Sequence, residues 1–468
     1  MAQAPDRFGN RLLDASKSPA FRALALEVLA AGLAAVDPYQ AVRRFLQRTG
    51  SLLRAGDSLI DLDQVGRVIV VGAGKAGGPM AAAVEEILGE RIAVGWVNVK
   101  TGHLTPTRTI HLHEAGHPIP NEAGAHGSEQ IARLLEGLRP DDLVLCLVSG
   151  GGSALLGLPY ADIRLEEVQE LTDSLLRAGA SINELNTVRK HLDRLKGGGL
   201  ARLAWPARVL ALVLSDVIGD PLDVIASGPA APDPTTFADA WSVIDRFRLR
   251  NKLPEAIAQR LQRGVAGLEP ETPDLSDPIF ERVEILVVGN NTQAVAAALA
   301  AARQRGWACL DLGSMIEGEA REVGRVLGGI ARSIVAEGRP IQAPACIIAG
   351  GETVVTVTGS GRGGRNQEVA LGAAFAIDGL PDTLIVSLGT DGTDGPTDAA
   401  GALADGTTFQ RAMAAGLDPH RSLAENDAYP FFEALGDLLI TGPTRTNVND
   451  IMCVFVGMPG RTPSEPLA

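Results

Sequence analysis

A short apolar run followed at once by glycines and polar residues recurs along this chain, and the repetition limits the folds open to it. RVIVV at 67–71 runs into GAGKAGGPM, LVLCLV at 143–148 into SGGGSALL, and VLALVL at 209–214 into SDVIGDPLDVIASGP. EILVV at 284–288 runs into GNNT, CIIA at 346–349 into GGE, and LIVSL at 384–388 into GTDGTDGPTDAAG. Apolar runs of this length without alternation suit strands buried on both faces. Helical patterns lie between them, as in Met80–Leu88, Ala125–Leu138 and Glu317–Glu337. Alternation of this kind predicts an α/β fold, with mainly parallel, Rossmann-like sheets flanked by helices and ligands bound at the carboxyl ends of the strands.

The loops themselves carry the chemistry. Gly72, Gly74 and Gly77 fit the G-x-G-x-x-G dinucleotide pattern between a strand and a helix. That pattern also needs an acid about 20 residues on to hold a ribose hydroxyl. The next strand ends in Asn98 and Lys100, which disfavours NAD and leaves a 2'-phosphate on Lys100 open. Lys75 stands inside the tight turn, where a cation at a helix start is disfavoured unless it serves an anion. Ser149, Gly150, Gly151, Gly152 and Ser153 form a second loop whose hydroxyls and amides suit phosphate or carboxylate. The helix predicted over Asn183–Gly199 carries Arg189, Lys190, Arg194 and Lys196; a charged face is usually solvated, but its glycine-rich end brings Arg189 and Lys190 into consideration as ligands. His117, in the rigid loop EAGHPIPNEAG, has a hydrogen bond within the turn as its default role.

In the second half, Cys346–Ala349 and the alternating Thr353–Thr358 are expected to be strands, with Glu352 at the end of the first. A glycine loop with Arg362 and Arg365 then leads into a helix from Asn366 to Ile377. Two guanidiniums beside a helix N-terminus make an anion site, for phosphate or carboxylate. Asp216 and Asp220 after one strand suit either Mg²⁺, which takes few protein carboxylates, or turn capping, and Asp391, Asp394 and Asp398 after another suit a loop that binds Mg²⁺ or hydroxyl groups.

A length of 468 residues suggests about two to four domains, and the Pro-, Asp- and Thr-rich stretch 230–239 places a boundary at 235/236. The formal charge of −14 argues against nucleic acid and anionic membranes as partners. The N-terminus lacks an apolar leader core, and the run at 23–36 is too short to span a bilayer. Cys146, Cys309, Cys346 and Cys453 show no metal-ligand spacing, which fits reduced thiols in a cytoplasmic protein.

Taken together the loops resemble those of the type-2 glycerate kinases, whose C-terminal part is called the MOFRL domain. The segments that carry the resemblance are AVDP (35–38), VVGAGKA (70–76), GHPIPNEAG (116–124), SGGGSAL, LNTVRKHL, SDVIGDPLDVIASGP, GGETVVTVTGSGRGGRNQE, GTDGTDGPTDAAG and TGPTRTNVND (441–450). They span nearly the whole chain in order. The resemblance implies two α/β domains, here 1–235 and 236–468 with the MOFRL region at about 345–456, and an active site in the cleft between them. It implies Mg²⁺-dependent transfer of the γ-phosphate of ATP to the 2-hydroxyl of D-glycerate. It places the catalytic lysine and arginine on Lys75 and Arg365, and leaves a homodimer open. Relatives labelled hydroxypyruvate reductase, and a sugar-acid-binding regulator, are the alternatives.

Overall fold

The apolar runs of the first half become neighbours in one sheet. In the computed structural model, which describes residues 8–14 and 17–460, the chain divides into two compact units: 38–288, and a second made of 1–37 with 289–468. The expected boundary at 235/236 falls inside the first of these. Residues 230–239 are no crossing between domains, because Asp233 is buried there under Lys190.

Unit 38–288 opens with a small antiparallel sheet of β1 (Leu46–Thr49), β2 (Leu52–Ala55) and β3 (Ser58–Asp61). Its main sheet contains β4 (Val68–Ala73), β5 (Ile92–Lys100), β6 (Ile110–Ala115), β7 (Leu143–Ser149), β8 (Arg208–Leu214) and β9 (Val283–Gly289), in the order β6-β5-β4-β7-β8-β9. The pairings β6–β5, β5–β4, β4–β7 and β7–β8 are parallel. Every residue of β4 and β7 is buried, as strands covered by helices on both faces require. Ile69, Val71 and Ala73 share one face with Val144, Cys146 and Val148, because side chains alternate along a strand. Chain order reverses direction between β4 and β7, and the loops after these two strands meet at that switch point.

The other unit differs. Its sheet contains β10 (Ala308–Asp311), β11 (Ala345–Gly351), β12 (Thr383–Gly389), β13 (Gly401–Asp405), β14 (Leu438–Leu439) and β15 (Asp450–Val456), in the order β10-β11-β15-β12-β13-β14. Only β10–β11 is parallel; the other pairings are antiparallel, so the expectation of mainly parallel sheets holds for the first unit and not for this one. β15 runs antiparallel between β11 and β12, with Asp450 opposite Gly351 on one side and Gly389 on the other. The start of β15 therefore lies among the ends of two strands. Helix Pro19–Ala35 belongs to this unit: Gly32 lies against helix Asn291–Gln304, where an added Cβ would stand 3.1 Å from the Ala294 carbonyl. Buried Arg22 of the same helix pairs with Asp405 and Asp437.

The segment 353–358 is not a strand beyond a single bridge at Val354. Distant side chains take its amides instead: the Glu319 carboxylate accepts from Thr356 N–H, and Asn426 Oδ1 accepts from Thr358 and Gly359. The helix over Asn183–Gly199 ends at Lys190, and a separate short helix runs Gly199–Ala204. Among the described residues no single helix is long and apolar enough to cross a membrane.

Candidate functional site

In unit 38–288 the loop after β4 is closed by the loop after β7. The Gly150 carbonyl accepts from Lys75 N–H at 2.9 Å, and Ser149 Oγ accepts from Ala76 N–H at 3.0 Å. Gly74, at φ +149°, leaves no room for a Cβ against Ser149. Ser149 is buried, so it ties the two loops together and is not the ligand hydroxyl expected from the sequence. Gly74 and Gly152 serve packing in the same way; a Cβ on Gly152 would come within 2.7 Å of Ala226. The Lys75 and Ala76 amides are thus taken by the protein itself.

The side chains at the switch point remain. Lys75 is half-buried, and its carbonyl pairs with His103 Nδ1 at 2.9 Å. A Cβ on Gly151 would stand 2.8–2.9 Å from the His117 ring and 3.4 Å from Lys75 Cγ, so imidazole and lysine lie side by side over that glycine. Burial, then the charges of Lys75, Lys100 and His103, pull the His117 pKa down to about 4. His117 is therefore a member of a four-residue basic cluster, not simply a turn residue. Arg189 donates to the Ser153 carbonyl at 3.0 Å, and burial lowers its pKa despite Asp193. Ser153 Oγ lies 2.6 Å from Ser227 Oγ. Lys190 does not face a ligand: it is buried between Asp233 and Asp223, at 3.2 and 3.3 Å. Asn98, near the fingerprint's ribose position, is buried and donates to the Leu155 carbonyl, so it is not offered to a ribose hydroxyl.

The unit with 289–468 builds its site on β15. Asp450 holds Arg365 through two bonds, Nε to Oδ2 at 2.6 Å and Nη2 to Oδ1 at 3.0 Å. Arg365 Nη1 pairs with Glu352 Oε1 at 3.0 Å. Burial works against the guanidinium charge, but the hydrogen bonds and charge of Asp450, with Glu352, hold its pKa above the ordinary value. Burial raises the Glu352 pKa, opposed by Arg365 and assisted by Asp450 and Asp391. Glu352, an acid paired to Arg365, is thus not a phosphate ligand. Asn366 is buried, donating to Asp450 at 3.0 Å and accepting from Ser387 Oγ at 2.6 Å, so it positions Asp450. Asp394 is 2 % exposed and accepts from the N–H groups of Asn366 and Gln367, capping the Arg365 helix, so it is no metal ligand. Burial pushes its pKa up to about 7. Arg362 stands apart, stacked 4.1 Å from the centre of the Tyr429 ring. Asp450 escaped the sequence analysis, although it closes the segment TGPTRTNVND.

The other carboxylates considered for Mg²⁺ are Asp216, Asp220 and Asp391. Asp216 and Asp220 follow β8 and are partly exposed. Asp391 follows β12, is also partly exposed and accepts from Thr393 N–H at 3.0 Å. Among the described residues no group of three or more His, Cys, Asp or Glu is arranged to hold a metal. Mg²⁺ characteristically uses one or two carboxylates and completes its shell with substrate phosphates and water, which suits a sparse donor set.

The chain matches the MOFRL family over residues 345–450 and a domain of unknown function, DUF4147, over 24–262. It is 43% identical over 430 residues to the D-glycerate 2-kinase of Thermotoga maritima, covering 92% of this chain and 97% of that one. It is 45% identical over 394 residues to a putative hydroxypyruvate reductase of Agrobacterium vitis, covering 84% and 88%. The crystal structure of glycerate kinase from Thermotoga maritima superposes with a TM-score of 0.83 at 42% identity, over 92% of this chain and 98% of that one. The chain belongs to the glycerate 2-kinase family, with a MOFRL domain as its C-terminal part.

Proposed function

We propose that the chain phosphorylates the 2-hydroxyl of D-glycerate with the γ-phosphate of ATP, in the cytoplasm, with Mg²⁺ as cofactor. The observation that supports this reading most is the basic cluster of Lys75, Lys100, His103 and His117 at the sheet's switch point, in a protein whose net charge is −14. Both substrates are anions, and phosphoryl transfer depends on positioning and on neutralising charge on the transferred group. In this reading Lys75 and Arg365 are the catalytic residues. Arg365 is oriented beforehand by its two bonds to Asp450, and a ligand oxygen takes the place of the half-exposed Glu352 on Nη1. Arg189 and the Gly150–Ser153 loop flank the anion. Asp216 and Asp220 in one unit, and Asp391 in the other, are the carboxylates that could each hold Mg²⁺, which would supply neutralisation of phosphate charge when bound.

A single assay on the protein tests the reading. ADP release from ATP plus D-glycerate is measured beside NADPH consumption with hydroxypyruvate. We expect glycerate-dependent ADP release that EDTA abolishes, and no NADPH turnover. Reduction of hydroxypyruvate without ADP release overturns it, and full activity in EDTA removes the metal from it.

A further inference from the structure

Beside Arg365 lies a cavity of about 590 Å³. Its walls include Val354, Val355, Val357 and Pro396, and its charged lining is Arg365 with Glu317, Glu352 and Glu368. Two features mark it as a place built for a ligand. Val354 and Val357 are 59% and 74% exposed, uncovered apolar surface in a concave site. Thr353, only 2% exposed, lines the cavity with a buried Oγ1 that has no hydrogen-bond partner. A buried hydroxyl without a partner is costly and uncommon unless a ligand or water completes it.

Size and charge narrow the occupant. Cavities of roughly 300–1,000 Å³ enclose drug-sized ligands, and a three-carbon acid would leave most of this one empty. Glu317 and Glu352 offer carboxylates to the cavity and Glu368 is already paired with Arg321, so away from Arg365 the lining suits an uncharged, hydroxyl-bearing group better than an anion. The same carboxylates accept hydrogen bonds from hydroxyl groups, and valines suit the face of an aromatic ring. We propose that this cavity is the nucleoside site of the phosphate donor. The base lies on Val354 and Val357, Thr353 Oγ1 meets a ring or exocyclic nitrogen, Glu352 and Glu317 take the ribose hydroxyls, and the phosphates begin at Arg365. The proposal rests on the kinase reading, to which it adds where the donor's uncharged part sits.

Two substitutions in the full chain test it. Val357→Glu is at an exposed position, so the core is untouched. Thr353→Val removes the unpartnered hydroxyl at nearly constant volume. Steady-state kinetics are recorded with each substrate varied in turn, and adenosine is titrated calorimetrically. Val357→Glu should raise the KM for ATP by roughly tenfold or more, since a carboxylate desolvated against the ring loses at least the free energy of one decade. The KM for D-glycerate should stay within about twofold, well inside that decade. Thr353→Val should raise the ATP KM severalfold without lowering Tm; a hydroxyl with no ligand role would leave KM unmoved. Wild type should bind adenosine, and Val357→Glu should not. A rise confined to the glycerate KM, or no change in either, overturns the proposal. If wild type releases no ADP, the kinase reading fails instead, and adenosine binding that Val357→Glu abolishes still upholds the nucleoside site.

Discussion

The two units place glycine loops at strand ends in the same sequence style, yet their sites have opposite electrostatic character. After β4 and β7 the chemistry is basic: burial first, and then the charges of Lys75, Lys100 and His103, lower the His117 pKa. After β11 and β12 it is acidic: partly exposed Glu352 and Asp391, with buried Asp450 behind them, outnumber one arginine. Glycine loops therefore do not announce an anion site. In both units close packing against a neighbouring loop accounts for the glycines, as Gly74 on Ser149 and Gly364 on Asp394 show. The side chains that the loops leave standing decide what each site attracts.

The comparison can be broken at its strongest points first. Lys75→Ala and Arg365→Ala should each lower turnover by roughly 10²–10³, the usual effect of removing one contact to developing charge. Arg365→Lys should recover little, because a lysine cannot reproduce the two-point grip on Asp450. Steady-state kinetics with circular dichroism check this, and turnover within threefold of wild type in both alanine variants would remove these residues from the mechanism. Asp450→Asn comes next. It leaves Arg365 with half of its anchoring charge, and because Arg365 is one-third exposed the stability loss should be about 1–3 kcal/mol, below that of a fully buried pair. Urea unfolding measures it; an unchanged midpoint would mean that the pair is screened. The smallest effect concerns His117. Its folded pKa of about 4 lies below the 6.5 of an unperturbed imidazole, so between these values the unfolded chain binds the proton and the folded one does not. Stability from this group is present above pH 6.5 and declines as pH falls toward 4. Inorganic phosphate at the cluster should raise the pKa, which NMR titration of the imidazole detects; an unmoved pKa at saturating phosphate would show that no anion binds there.

How much of this was legible beforehand follows from the range of each interaction. The helix through Met80–Leu88, strands β4, β5, β7 and β8 and the turn around Lys75 depend on local pattern, and the sequence reveals them; β6, whose last residues read as part of the rigid loop from Glu114, it does not. The antiparallel insertion of β15 does not, because strand direction in a sheet is set by partners a hundred residues away; Asp450 was missed for that reason. The same holds for Lys190 and Asp394. Each looks available for a ligand until Asp233 or the Asn366 amide arrives from elsewhere in the chain. Thr353–Thr358 has the alternation of a strand, but Glu319 and Asn426 take its amides first.

β15 has a further consequence, for the order in which the protein can be made. It is the last strand among the described residues and lies in the interior of its sheet, while helix Pro19–Ala35 of the same unit leaves the ribosome first. The segment 38–288 emerges whole and contiguous between them. At roughly 5–20 residues per second the helix waits tens of seconds for its partners. During that time its apolar face, with Phe21, Leu26, Leu29 and Leu33, has no core to enter, and β11 and β12 cannot be joined. A nascent chain stopped short of Asp450 thus lacks the one strand through which β11 and β12 are joined.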